Sequence, residues 1–214
     1  MTQKPKIDIM DNIRREKDSL RTRHTLLEKV KDKHDEESWG EFVYYYKGFI
    51  YILCRRMKLN HHDAEELVQK VLVNSWNSLP EFQYDDNRKF RSWLSAVTRN
   101  EVRNYFRYVS RQNKKVEKAV DDVHCEISRY ETEPALEKLA EDEWQTYIVS
   151  MAFNNIKDDF SEAVIEAFLK LSKGVSNINV AREMGIPRNT VAVYKKRVTA
   201  KLSKEIRRLN HELG

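Results

Sequence analysis

The sequence predicts an all-α protein of two helical domains joined by an acidic linker, the second of them a helix-turn-helix. Three observations carry that expectation. Only 5 Gly and 4 Pro interrupt 214 residues, of which 34% are charged, a composition that favours helices with short connections. Apolar residues recur at three- and four-residue spacing through most of the chain, the period of a helix with one buried face. Charge is also segregated along the chain. Between Arg88 and Lys115 nine Lys or Arg face one acid, between Glu117 and Glu143 ten acids face three bases, and between Arg188 and Arg208 eight bases face one acid. A chain of this length holds one large core or two small ones. The expected division is an arm over 1–21, a first domain over 22–112, the linker over 113–135 and a second domain over 136–214.

In chain order, residues 1–21 are polar with Ile7, Ile9, Met10 and Ile13 scattered among them; a frayed arm and a short helix both fit. Thr25 can cap a helix, with Glu28 completing a capping box and Leu26, Leu27 and Val30 as its buried edge. Trp39, Phe42, Val43, Tyr46, Phe49, Ile50, Leu53 and Met57 form the longest apolar stripe, starting at Ser38 and ending before the turn at Asn60 to His62. His61 and His62 do not form a metal pair, because helix neighbours point about 100° apart. Ala64, Leu67, Val68, Val71, Leu72, Trp76 and Leu79 draw the next buried stripe, and Pro80 stops that helix. Its opposite face carries Asp63, Glu66, Gln69, Lys70 and the apolar Val73.

The stretch from Phe82 to Phe90, FQYDDNRKF, has turn formers in the middle and aromatics at both ends. After it, Trp93, Leu94 and Val97 mark the inward side of another helix, while Arg91, Arg99, Arg103, Arg107 and Arg111 recur on a four-residue series broken only by Ser95. Basic charge interleaved with aromatics suits a surface that follows a phosphate backbone and stacks unpaired bases. The acidic run that follows reads by default as a solvated linker. Beyond it Leu136, Leu139, Trp144, Tyr147, Ile148, Met151 and Ile156 make one stripe, and Ser161 caps another through Val164, Ile165, Phe168, Leu169 and Leu171, ended by Gly174. The remainder has helix-turn-helix spacing, with a short helix from Ile178 to Met184, a turn at Gly185-Ile186-Pro187 and a long helix from Arg188. Val191, Val198, Leu202 and Ile206 face inward. Arg188, Asn189, Thr190, Lys195, Lys196, Arg197 and Lys201 are the candidate contacts to duplex DNA, because the N-terminal end of such a helix reaches base edges and later residues meet phosphates.

DAEELVQ at residues 63–69, the aromatic loop, FRSWL at 90–94 and the Arg99-Asn100 pair followed by Arg107 together resemble the core-binding and promoter-melting domain of bacterial sigma factors, in particular the extracytoplasmic-function (ECF) group. The Thr190-Val191 and Arg197-Val198 pairs resemble the minus-35-reading domain of the same family. The resemblance implies that Asp63, Glu66, Gln69, Lys70 and Val73 dock on core RNA polymerase; the family usually carries Asp where this chain has Glu66, one methylene shorter. It implies that Tyr84, Asp85, Asn87, Arg88, Lys89, Phe90, Arg91, Arg99, Asn100, Arg103 and Arg107 meet single-stranded minus-10 DNA, and that the acidic segment threads polymerase channels. Implied partners are core RNA polymerase, promoter DNA and, as in other members, an anti-sigma factor. The rival reading is a stand-alone helix-turn-helix regulator, which accounts for 177–208 and leaves the 63–73 face, the loop and the linker without a role.

Other classes find little support. There is no Gly-rich phosphate loop, no nucleophile motif and no cluster of His and carboxylates at ligand spacing, so no catalytic residue, metal, cofactor or small-molecule substrate is expected. Net charge of +5 and a pI near 9.0 are compatible with nucleic acid. Cys54 and Cys125 stand far apart, without a CxxC, and read as reduced thiols. No apolar run approaches the roughly 20 residues that cross a bilayer, and no signal-peptide core is present, so the expected location is cytoplasmic, without membrane insertion.

Overall fold

The computed structural model describes residues 24–83, 89–112 and 133–213. Over these residues the chain is helical and no strand occurs. The order is α1 (His24–Lys29), α2 (Glu36–Arg56), α3 (His61–Ser78), a 3-10 turn (Leu79–Glu81), α4 (Phe90–Gln112), α5 (Glu133–Ile156), a second 3-10 turn (Lys157–Asp159), α6 (Glu162–Ser172), α7 (Asn177–Met184) and α8 (Arg188–Leu213). These fall into two compact units that divide inside α5, one reaching Tyr147 and the other running from Ile148 to His211.

In the first unit, α2, α3 and α4 pack against one another. Phe42, Tyr46, Phe49, Ile50 and Leu53 of α2 are buried together with Ala64, Leu67, Val68 and Val71 of α3 and Phe90, Leu94 and Val102 of α4. These are the apolar positions that a 3.6-residue period assigns to one face. Trp39 and Trp76 meet edge to face at 4.6 Å across α2 and α3. Two helix starts differ from expectation. Asp35, not Ser38, caps α2, its carboxylate accepting from the Ser38 amide at 2.9 Å; a carboxylate also suits the positive end of the helix. Thr25 lies within α1 rather than at its cap. Asn60 caps α3 by accepting from the Asp63 amide, and Pro80 falls inside the 3-10 turn that ends it. Cys54 is buried, and burial pushes its thiol up to about 12, which leaves it protonated and inert; Cys125 lies outside the described residues.

In the second unit the turn between α7 and α8 is closed by Gly185, whose φ of 64° is left-handed, a conformation that glycine adopts without a Cβ penalty. Around it Ala167, Leu171, Val180 and Val191 form a buried cluster, with Met184, Ile186 and Tyr194 packed on it. Lys170 reaches Glu183 at 2.8 Å and Glu166 at 3.3 Å, tying α6 to α7.

Candidate nucleic-acid interface

The outward face of α3 is built by exclusion. Ala64, Leu67, Val68 and Val71 are buried, which turns Glu66, Gln69, Lys70 and Val73 to solvent. Val73 is 58% exposed, an apolar side chain set among polar ones. Glu66 and Lys70 pair along the helix at 2.7 Å with both more than half exposed, an arrangement worth only a few tenths of a kcal/mol and easily traded for other partners. Asp63 is different. Its Oδ2 accepts from Tyr105 Oη at 2.5 Å and from Asn60 Nδ2 at 2.7 Å, so it joins the start of α3 to the side of α4. Burial and the Asp63 bond together push the Tyr105 phenol well above its ordinary range.

On α4, Arg107 and Arg111 are exposed, Arg99 and Arg103 partly so, and Asn100 is exposed. Arg91 departs from the row. It is 1% exposed, with Nη2 at 2.7 Å and Nε at 3.1 Å from one oxygen of Glu141 on α5. The outward basic row therefore begins at Arg99, because Arg91 sits nearer the segment that α5 covers. Lys89 Nζ reaches the same Glu141 oxygen at 2.9 Å, and Gln145 donates to the other oxygen at 2.9 Å. Burial raises the Glu141 carboxyl, but the Arg91 charge and the bonds from Lys89, Arg91 and Gln145 outweigh it and hold the group down at about 2. Phe90 is buried, and Trp93 is half-buried against Phe82 and Phe90 at 5.0 and 5.2 Å. Tyr84, Asp85, Asn87 and Arg88 lie outside the described residues.

Along α8, Arg188, Asn189 and Lys196 are exposed and Thr190 and Lys195 are half-buried. Arg197 and Lys201 are also exposed but turn toward the loop before α6: their cationic groups lie 5.9 and 5.7 Å from the Phe160 ring centre, and Lys201 Nζ is 2.7 Å from Asp159. Val193, which sequence reasoning passed over, is 53% exposed between them and the helix start. Its signal was available, since it lies two residues after the buried Val191 and so falls on the far side of the helix.

Residues 42–112, from within α2 to the end of α4, match the family model described as Sigma-70 region 2. This stretch is therefore similar to the sigma-70 region 2 family. The exposed face of α3 and the basic row of α4 both lie inside this matched span. Residues 164–207, covering most of α6, all of α7 and most of α8, match the model described as bacterial regulatory proteins, luxR family. Among curated proteins, the ECF RNA polymerase sigma factor SigW of Bacillus subtilis (strain 168) is 37% identical over 68 residues, 32% of this chain and 35% of SigW. The ECF RNA polymerase sigma factor SigE of Mycolicibacterium smegmatis (strain ATCC 700084 / mc(2)155) is 33% identical over 63 residues, 29% of this chain and 23% of SigE. The chain thus aligns with about a third or less of the length of these relatives. A solved structure of CnrH in complex with the cytosolic domain of CnrY is similar at a TM-score of 0.34 and 18% identity, covering 84% of this chain and 94% of that one. No helix among the described residues is long and apolar enough to cross a membrane.

Proposed function

We propose that this protein is a sigma factor of the ECF type: it binds core RNA polymerase through region 2 and directs initiation at promoters by holding minus-10 DNA in region 2 and minus-35 DNA with α8. The observation that carries the reading is the coincidence, within one region 2 domain, of a solvent-facing strip of Glu66, Gln69, Lys70 and Val73 on α3 with a basic row of Arg99, Arg103, Arg107 and Arg111 on α4. Two different partners need two such faces. Polymerase takes the mixed polar strip, whose apolar Val73 can be covered on docking, and the DNA backbone takes the guanidinium row.

The division of labour follows from groove and strand chemistry. Asn189 and Lys196, near the start of α8, reach base edges, where Asn pairs with adenine and Lys with guanine; Val193 beside them suits a thymine methyl. Lys89 and residues 84–88 before it take bases released from the duplex, and an aromatic under each base returns about 1–3 kcal/mol. Unstacking costs a few kcal/mol per base, so capture tips opening at weak steps without any bond being made or broken. The protein contributes specificity rather than catalysis, works where the polymerase is, and is open to control by an anti-sigma partner.

The luxR-family match of residues 164–207 favours a second reading, a regulator that binds duplex DNA without polymerase. Co-migration with core RNA polymerase on a sizing column separates the two. The sigma reading expects the wild type to co-migrate, the double substitution Glu66→Arg with Gln69→Ala to abolish it, and the mixture to initiate RNA synthesis on a selected promoter. A folded wild type that fails to associate with polymerase from its own source would leave the stand-alone regulator.

A further inference from the structure

The start of α5 does not project away from region 2; the residues up to Tyr147 belong to the same compact unit. Trp144 is buried against Tyr46 at 5.6 Å and Phe49 at 5.0 Å. Tyr147 Oη donates to the Tyr45 carbonyl at 2.9 Å, its ring so close over α2 that a Cβ on Gly48 would lie 2.7 Å from it. Glu143 takes the exposed Arg56 at 2.7 Å, and Glu141 takes Lys89 and Arg91. An acidic stretch thus lies over cations at the start of α4, with one carboxylate oxygen accepting from both.

Two features make this seam a contact that can open. Its charged part is only half-closed, Lys89 being 40% and Glu141 28% exposed, so solvent and salt reach it. Its closed part is imperfect: Arg91 Nη1 and Trp144 Nε1 are buried without a hydrogen-bond partner among the described residues, and a buried donor left unpaired disfavours the closed contact. A guanidinium held by a carboxylate is also the group that a phosphodiester would take in the same geometry.

We propose that Glu141 is an intrachain stand-in for a DNA phosphate, and that residues 133–147 latch the Lys89–Arg91 end of region 2 shut until this segment is lifted. The inference rests on the sigma-factor reading for the identity of the displaced ligand, single-stranded DNA. With the latch closed, Arg91 cannot reach a backbone and Lys89 meets it only by leaving Glu141. Lifting α5 delivers both cations together, beside the row at Arg99 to Arg111.

The test is binding of the full chain, alone, to a fluorescein-labelled single-stranded DNA oligonucleotide of mixed sequence, followed by anisotropy across a KCl series. Glu141→Gln should tighten binding about fivefold, the scale of one partly buried ion pair, and steepen the salt dependence by about one to one and a half units in log–log slope, as two further cations meet phosphates. Gly48→Ala changes no charge and improves helix propensity while pushing the Tyr147 ring away; it should move affinity in the same direction, and it carries the test if Glu141→Gln unfolds. Affinity and slope equal to wild type in the folded variants would overturn the latch, whether wild type binds weakly or well. Co-migration with core polymerase is scored separately: co-migration with no shift in the variants removes the latch alone, and a shift without co-migration removes the sigma reading alone.

Discussion

At the scale of single residues, the charges that matter are those with a defined partner. Glu141 is the clearest. Its folded pKa, about 2, lies below its ordinary 4.5, so its contribution to stability is complete above pH 4.5 and drains away as pH falls toward 2. Urea unfolding at a series of pH values should show wild type more stable than Glu141→Gln by about 1–2 kcal/mol at neutral pH, discounted for partial exposure. The gap should close between pH 4.5 and 2, and a gap independent of pH would mean that the pair does not hold the carboxyl down. Asp63 carries two tasks, accepting from Tyr105 within the fold and standing at the edge of the proposed polymerase face. Tyr105→Phe should therefore cost about 1 kcal/mol in a thermal melt without weakening polymerase association beyond that loss. Among the described residues Glu66 pairs along its own helix, with Lys70, and Gln69 is turned to solvent, so their substitution reads out docking more cleanly. A bare sequence shows neither distinction, because Asp63, Glu66 and Glu141 are carboxylates on helices and nothing in their spacing tells which one finds a phenol or a guanidinium.

At the scale of elements, each helix was legible from its apolar period, and its ends were less so. The buried residues from Phe42 to Leu53, from Ala64 to Leu79 and from Val191 to Ile206 follow the spacing of their stripes. Asp35 was overlooked as the cap of α2 because Ser38, an equally good capping residue, stands three positions later; only the backbone shows which oxygen meets a free amide. Asp35→Ala should destabilise the first unit by about 1 kcal/mol, read by chemical denaturation. In the second unit the weight falls on Val191, wholly buried in the cluster around the turn. Val191→Ala removes two methyl groups there and should cost about 1–3 kcal/mol, seen as loss of duplex binding on heating before the first unit melts. On the exposed side of the same helix, Asn189→Ala should change which upstream sequences are selected from a promoter library, with little effect on salt dependence. An unchanged preference would move base reading to another element.

At the scale of the whole molecule, the proposed function rests on one chain carrying faces of different chemistry. Arg99→Ala with Arg103→Ala should weaken DNA binding almost equally for all sequences and lower the salt slope by about one unit for each phosphate that is no longer neutralised, while polymerase association stays intact. By itself the sequence determined the all-helical class, the two regions of basic charge, the helix-turn-helix and the resemblance to sigma factors, because each of these is written in local period, local composition or short motifs. Tertiary structure decided what local pattern cannot carry. It buried Arg91, in step with a row of outward-facing arginines, and it laid Glu141, one acid among ten in a linker-like run, over Lys89 and Arg91 some 50 positions earlier in the chain. It also turned Arg197 and Lys201 toward Phe160 and Asp159. The physical reason is the same in each case: a helix period says which side of its own axis a residue occupies, and only the packing of a second element says whether that side meets water, an apolar core or an opposite charge.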